Sequence, residues 1–163
     1  MAKTKKKTKE PSDIKNICKN RRAYHEYTIT DTLECGLVLT GTEVKSLREG
    51  HATLEDAYAR IRDGELWLVG CDIPEYAMGN YMNHKPKRPR KLLLHKRELD
   101  KFAGKASQQG FTLVPLQLYF RKGWAKVSIG IGKGKQLHDK REDKKKADAT
   151  REMRRAEGRR ESR

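Results

Sequence analysis

The middle of the chain is written in short alternating runs. In "LECGLVL", Leu33, Cys35, Leu37 and Leu39 fall on one side and Glu34, Gly36 and Val38 on the other, the period-two signature of a half-buried strand. The period then changes. In "TGTEVKSLREG", Thr40 and Glu43 stand at capping-box spacing, Val44 and Leu47 share a helical face, and Gly50 stops the helix. Lys45 and Arg48 are thereby left toward solvent. "LEDAYARIRDGELWLVG" predicts a hairpin turning at Asp63-Gly64. "HKRELDKFAGKA" predicts a short amphipathic helix with Leu99, Phe102, Ala103 and Ala106 on its apolar side. "FTLVPLQLYFRKGWAKVSIGI" predicts a second hairpin turning near Lys122-Gly123. Val114, Leu116, Leu118 and Phe120 are expected on one face, packed with Val127, Ile129 and Ile131. Lys126 then points outward beside Trp124 and Ser128.

Roughly six strands and two or three short helices in about a hundred residues argue against a parallel βαβ fold. They predict a mainly β protein, a small antiparallel barrel of the oligonucleotide-binding (OB) type. The apolar residues are unevenly spread, which divides the chain into a basic, disordered arm (1–13), a barrel domain (14–132) and a basic tail (133–163). From His138 onward the apolar residues are Ala147, Ala149, Met153 and Ala156, too little carbon surface to offset the entropy of ordering the segment. Yet "DKREDKKKADATREMRRAE" contains good helix formers and neither proline nor glycine. Glu142–Lys146 at i,i+4 and Asp143–Lys146, Asp148–Arg151 and Glu152–Arg155 at i,i+3 would each add about 0.2–0.5 kcal/mol, short of what helix nucleation costs. The tail is therefore expected to be disordered alone and helical against a polyanion.

Composition sharpens this picture. Lys and Arg number 38 against 22 Asp and Glu, a net charge of +16. Charge on that scale opposes compactness and answers a polyanionic partner. Nucleic acid is favoured over a membrane surface, because no basic segment also carries a strong apolar helical face. No apolar run reaches membrane-spanning length, and "MAKTKKKTKEP" lacks the apolar core of a signal peptide. Cys18, Cys35 and Cys71 have no CxxC spacing, which points to a reducing compartment and a cytoplasmic protein.

Between Pro74 and Lys91, "PEYAMGNYMNHKPKRPRK" interleaves Lys85, Lys87, Arg88, Arg90 and Lys91 with prolines, and predicts an exposed basic loop that grips phosphates. Tyr76 and Tyr81 are candidates for packing or for stacking on unpaired bases. No catalytic motif stands out. Five scattered histidines form no metal motif, and in "GIGKGK" the position five after Gly130 is Lys135 where a phosphate loop needs glycine. Gly130, Gly132 and Gly134 are read as letting the last strand run into a mobile tail. Neither an enzyme, a cofactor, a metal nor a small-molecule substrate is expected.

Four blocks, "NRRAYHEY" (20–27), "GTEVKSLREG" (41–50), "RKLLLHKREL" (90–99) and "GKGKQLHDKRE" (132–142), together resemble the bacterial SmpB family. The resemblance implies an OB-type barrel that binds the tRNA-like domain of transfer-messenger RNA. It also implies delivery of that RNA, with elongation factor Tu and GTP, to stalled ribosomes, where the tail enters the empty messenger channel at the small-subunit decoding centre. By the same resemblance, Glu34, Leu93 and Lys126 contact RNA, with Asn20 and Arg21 opening the first block. A core role alone would also explain Leu93. His138 is implied to stack on a decoding-centre base, with Asp139, Lys140 and Arg141 beside it. Lys45, Arg48, Arg90, Lys91 and Trp124 complete the expected RNA contacts; Lys133, Lys135, Lys144, Lys145, Arg151, Arg154 and Arg155 complete the tail's. The rival readings are a ribosomal protein with a basic extension, a general RNA-binding protein and an RNA-processing enzyme.

Overall fold

Both predicted hairpin turns adopt the left-handed geometry that two-residue turns between twisted strands require. Asp63 and Gly64 have φ of 53° and 71°, and Lys122 and Gly123 have 50° and 81°. The computed structural model describes residues 14–107, 110–136, 139–141, 145 and 148–153. Its strands are β1 (Ile14–Lys19), β2 (Tyr27–Leu37), β3 (Tyr58–Arg62), β4 (Glu65–Val69), β5 (Arg90–Leu93), β6 (Phe111–Arg121) and β7 (Trp124–Gly134). The helices are α1 (Arg21–Glu26), α2 (Gly41–Arg48) and α3 (Lys96–Ala106). The expected N-terminal arm lies outside the described residues.

All strand pairs are antiparallel. The order β6-β3-β4-β5-β2-β7 closes because β7 pairs back onto β6, and β1 is added on β6 beside β3. Closure leaves few exposed strand edges, so the predicted antiparallel barrel is the fold that forms. Leu66, Leu68, Leu92, Leu118, Val127, Ile129 and Ile131 fill it, joined by Leu47 of α2 and by Leu99 and Phe102 of α3. The last strand extends to Gly134, opposite Tyr27, so Lys133 belongs to the barrel and not to the tail.

One face assignment changes. The register of β6 shifts between Pro115 and Gln117, a bulge that inverts the side-chain alternation. Leu118 and Phe120 join the main core with Leu113, whereas Val114 and Leu116 pack with Ala23 of α1 in a second cluster. Proline sits at the bulge, where no ladder donor is needed. Asn20 binds the carbonyls there: its amide N–H donates to Leu116 O at 2.8 Å, and its Nδ2 donates to Pro115 O and Leu54 O at 3.1 and 3.0 Å. Its Oδ1 accepts the Ala23 N–H at 3.0 Å and caps α1.

The glycines of β7 also have a different use from the one expected. A Cβ on Gly132 would stand 2.8 Å from the Tyr27 Cβ, and one on Gly130 would stand 2.9 Å from a Leu116 methyl. They permit side chains to lie directly over the strand. Beyond β7, the chain leads one to expect no structure. Residues 139–141, 145 and 148–153 nevertheless have helical backbone, mostly with exposed side chains, and Arg151 pairs with Asp148 at 3.7 Å. These residues include the predicted Asp148–Arg151 ion pair, and none of those described is buried.

The buried side of α2 is Glu43, Ser46 and Leu47, more polar than the apolar periodicity predicts. Glu43 is fully buried. It accepts the Thr40 N–H at 2.7 Å, the Arg90 Nε–H at 2.8 Å and two Arg88 N–H groups at 2.7 and 2.5 Å. Arg90, also fully buried, donates onward to Cys71 O at 2.6 Å and Pro86 O at 2.8 Å. His84 bridges Thr42 Oγ1 and Ile73 O, each at 2.9 Å, and Ser46 donates to Pro74 O at 2.8 Å. The proline-rich loop is thereby bolted to α2.

Burial pushes the Glu43 pKa up, but the Arg88 hydrogen bonds, the Thr40 N–H and the two guanidinium charges outweigh it, and the result lies below the ordinary value of 4.5. A carboxylate with a lowered folded pKa contributes stability above its unfolded pKa and loses it as pH falls through the folded value. Glu43→Gln leaves Arg90 buried without a counter-charge and should cost about 3–5 kcal/mol in urea unfolding at pH 7. The gap to the parent should narrow below pH 4.5. A variant as stable as the parent at neutral pH would show the cluster to be energetically idle. Gly132→Ala should lower stability by about 1–3 kcal/mol in the same assay, by forcing Tyr27 off β7.

Candidate nucleic-acid interface

The outward positions of β5, β2, β7 and β6 line up across the barrel. Leu93 pairs with Gly36, Gly36 with Lys126, and Lys126 with Tyr119. Period-two alternation puts their neighbours Leu92, Cys35, Val127 and Leu118 inside, so this row must face out. Leu93 is 52% exposed and lies over Gly36, where a Cβ would meet its side chain at 3.4 Å. The core role that "KLLLH" also allowed belongs to Leu92.

Glu34 is one step along β2, opposite Ser128. Its carboxylate accepts the Tyr119 hydroxyl hydrogen bond, and Arg121 and Lys126 approach it to 3.2 and 3.8 Å. The hydroxyl donation holds its pKa below the usual range; desolvation opposes it, and the Arg121 and Lys126 charges add to the lowering. Tyr119 moves oppositely: burial first, then the bond to Glu34, pushes it to about 12. At neutral pH the group is a fixed carboxylate with a neutral phenol and two cations, a net surplus of positive charge. Such a group can accept from a sugar hydroxyl or a base amine while its flanking cations meet phosphates. Trp124, 75% exposed at the β6–β7 turn, pairs with Arg121 and borders this face.

The other expected contacts divide. Arg21 is exposed on α1. Lys45 is exposed, with its ammonium 5.3 Å from the Tyr76 ring centre. Arg48 is exposed, and its carbonyl accepts from Lys15 Nζ at 2.9 Å. Asn20 and Arg90 must be moved from the surface to the interior: they are 3% and 0% exposed, and their donors serve the bulge and the Glu43 cluster. The basic loop is corrected in the same way. Arg88 and Arg90 turn in to Glu43 and Lys91 pairs with Glu65 at 2.5 Å, which leaves Lys85 and Lys87 as its exposed cations. Tyr76 is half-buried, while Tyr81 is 92% exposed.

In the tail, Lys133 is exposed at the end of β7. Lys135 donates its N–H to Glu26 O at 2.9 Å and its Nζ to Tyr24 O at 3.0 Å, tying the root of the tail to α1. Asp139 accepts the Gln136 N–H at 3.3 Å. Lys140, Arg141, Lys145 and Arg151 lie in the helical stretches. His138, Lys144, Arg154 and Arg155 lie outside the described residues.

Sequence reasoning missed Tyr119 and Arg121. Alternation with Leu118 and Phe120 already turned them outward, but no motif marked them, and their meeting with Glu34 is decided by the pairing of β6, β7 and β2. The thiols of Cys18, Cys35 and Cys71 are pushed by burial to about 11, 12 and 12, so they remain protonated packing groups. Among the described residues no His, Cys, Asp and Glu cluster is placed to hold a metal, and no helix is long and apolar enough to cross a membrane.

Comparison with known proteins identifies the family. The model of the SmpB protein family matches residues 17–159. The SsrA-binding protein of Salinispora arenicola is 58% identical over 90% of this chain and 92% of its own length. That of Thermobifida fusca is 56% identical over 93% and 95%, and that of Nostoc sp. 55% over 87% and 92%. A chain of a solved structure described as "tmRNA-SmpB: a journey to the center of the bacterial ribosome" superimposes with a TM-score of 0.63 at 50% identity, over 74% of this chain and 85% of that one. By its family model, its relatives and its fold, this chain belongs to the SmpB family.

Proposed function

We propose that the protein is a non-catalytic RNA adaptor that binds the tRNA-like domain of transfer-messenger RNA and brings it to stalled ribosomes for trans-translation in the cytoplasm. The observation that carries this reading is the assembly of Glu34, Tyr119, Arg121 and Lys126 beside an exposed leucine on one barrel face. An apolar side chain laid bare at the end of a row that holds an oriented carboxylate and two cations has no evident use in the free protein. It matches a folded RNA, which offers sugar edges, hydroxyls and phosphates together. The relatives named SsrA-binding protein and the tmRNA–SmpB ribosome structure support the same partners.

Arg21, Lys45, Arg48 and Trp124 extend the contact as exposed cations and an exposed ring. In this reading the RNA complex also includes elongation factor Tu with GTP. The tail, with His138, Asp139, Lys140 and Arg141 leading, occupies the decoding centre and the empty messenger channel. Its cations would be neutralised there by ribosomal RNA, which favours the helix that its spacing encodes.

Counterion release should make log affinity fall steeply and linearly with log salt in filter binding or anisotropy. Lys126→Ala should weaken binding and reduce that slope by about one. Leu93→Ala should weaken binding with the slope unchanged. A flat salt plot for the parent would remove phosphate contacts as the source of affinity. Truncation after Gly134 should leave RNA binding within about threefold and abolish peptide tagging in a stalled-ribosome assay, since the barrel's cations remain while the channel contacts go. Loss of RNA binding in the truncated chain would refute the division of labour.

A further inference from the structure

The outward side of β3, β4 and β5 carries a second site that the Glu34 face does not include. Leu66 and Leu68 point into the barrel, so Glu65 and Trp67 point out; Trp67 lies between Arg60 of β3 and Lys91 of β5. A groove of about 230 Å³ runs here, lined by Arg60, Arg62, Asp63, Glu65, Trp67 and Pro89. That is room for one planar base. The indole is half-buried, and among the described residues no cation sits over it.

Arg60 and Arg62 line the groove together with the carboxylates of Asp63 and Glu65; Lys91 takes Glu65, which leaves the two arginines in excess over Asp63 beside the ring. Arg60 has no ion-pair partner among the described residues. Arg62 meets Asp63 at 3.2 Å in a pair whose side chains are 68% and 87% exposed, a contact that solvent keeps weak. The groove also neighbours the Leu93 end of the face already described. The Lys91–Glu65 bridge, at 2.5 Å, separates it from a hollow of about 360 Å³ lined by Leu93 and Lys96.

We infer that this groove holds one unpaired nucleotide of the RNA bound on the Glu34 face, its base stacked on Trp67 and its phosphate held by Arg60 and Arg62. The inference rests on the proposed RNA reading and extends the footprint around the barrel. Aromatic platforms flanked by arginine bind unpaired nucleotides in this way, because every base offers a π-face whatever its sequence.

The test uses the full-length protein labelled with 5-fluorotryptophan, its two ¹⁹F signals assigned through Trp67→Phe, and the transcribed tRNA-like domain as probe. The Trp67 signal should move on saturation with that RNA and stay in place with a fully paired hairpin of equal length. The Arg60→Ala/Arg62→Ala double variant should bind about fivefold to tenfold more weakly, and Trp67→Leu likewise, with Trp67→Phe restoring most of the loss because it retains a stacking surface. A stationary Trp67 signal at saturation overturns the inference, as does equal movement with the paired hairpin. Lys126→Ala in the same assay separates the two ideas. Loss in Lys126→Ala with none in the arginine pair sinks the groove and spares the Glu34 face; the converse spares the groove and sinks that face.

Discussion

A carboxylate with no access to water organises half of this molecule. Glu43 sits on the buried side of a helix in a chain of net charge +16, and it is ionised only because Arg88 and Arg90 reach it. Buried ion pairs are weak evidence of net stability, since desolvation consumes much of the attraction, but they are demanding about geometry. Arg90 satisfies its other donors on the carbonyls of Cys71, Arg88 and Pro86. Those carbonyls belong to the long segment between β4 and β5, whose one helical element is the short turn at Asn80–Met82. The cluster therefore fixes where that segment runs, and with it the approach of β5 and the outward aim of Leu93.

The barrel uses the same arrangement twice, closed in one place and open in the other. Glu43 and Glu34 each stand between two cations. The first carboxylate is sealed, with Arg90 fully buried beside it and Arg88 29% exposed and held by two hydrogen bonds to it. The second keeps 35% of its side chain exposed, beside Arg121 at 53% and Lys126 at 32%, so the same three charges remain available to solvent or RNA. A bare count of lysines and arginines overstates the surface charge for this reason. Several cations of the proline-rich loop are engaged within the protein, and the positive field is shaped more by β6, β7 and the tail than by that loop.

Asn20 shows how a motif residue can matter without touching a ligand. It opens a block that identifies the family, yet its side chain closes a bulge and caps a helix. The bulge in turn sets the phase of β6. With Leu118 facing in, Tyr119 faces out toward Glu34, and the hydroxyl that orients the carboxylate is in place. The proposed binding face is thus held from the inside by a residue that the family resemblance had placed among the RNA contacts.

Local chemistry alone determined a good deal here. Period-two runs marked β2, β4 and β7, the Asp63-Gly64 and Lys122-Gly123 pairs marked turns that need positive φ, and the apolar stripe of α3 marked its buried side. The outward position of Glu34 and Lys126 was legible because alternation is a property of neighbouring residues, and the family blocks supplied Leu93. What only the tertiary structure decided were matters of long-range pairing. The bulge at Pro115 depends on what β1, β7 and Asn20 require of β6 at once. The burial of Arg90 and the inward turn of Arg88 depend on a carboxylate more than forty residues away. Sequence spacing reports how side chains stand relative to their own backbone. Which distant charge or carbonyl meets them is set by closure of the barrel, and closure is a property of the whole chain.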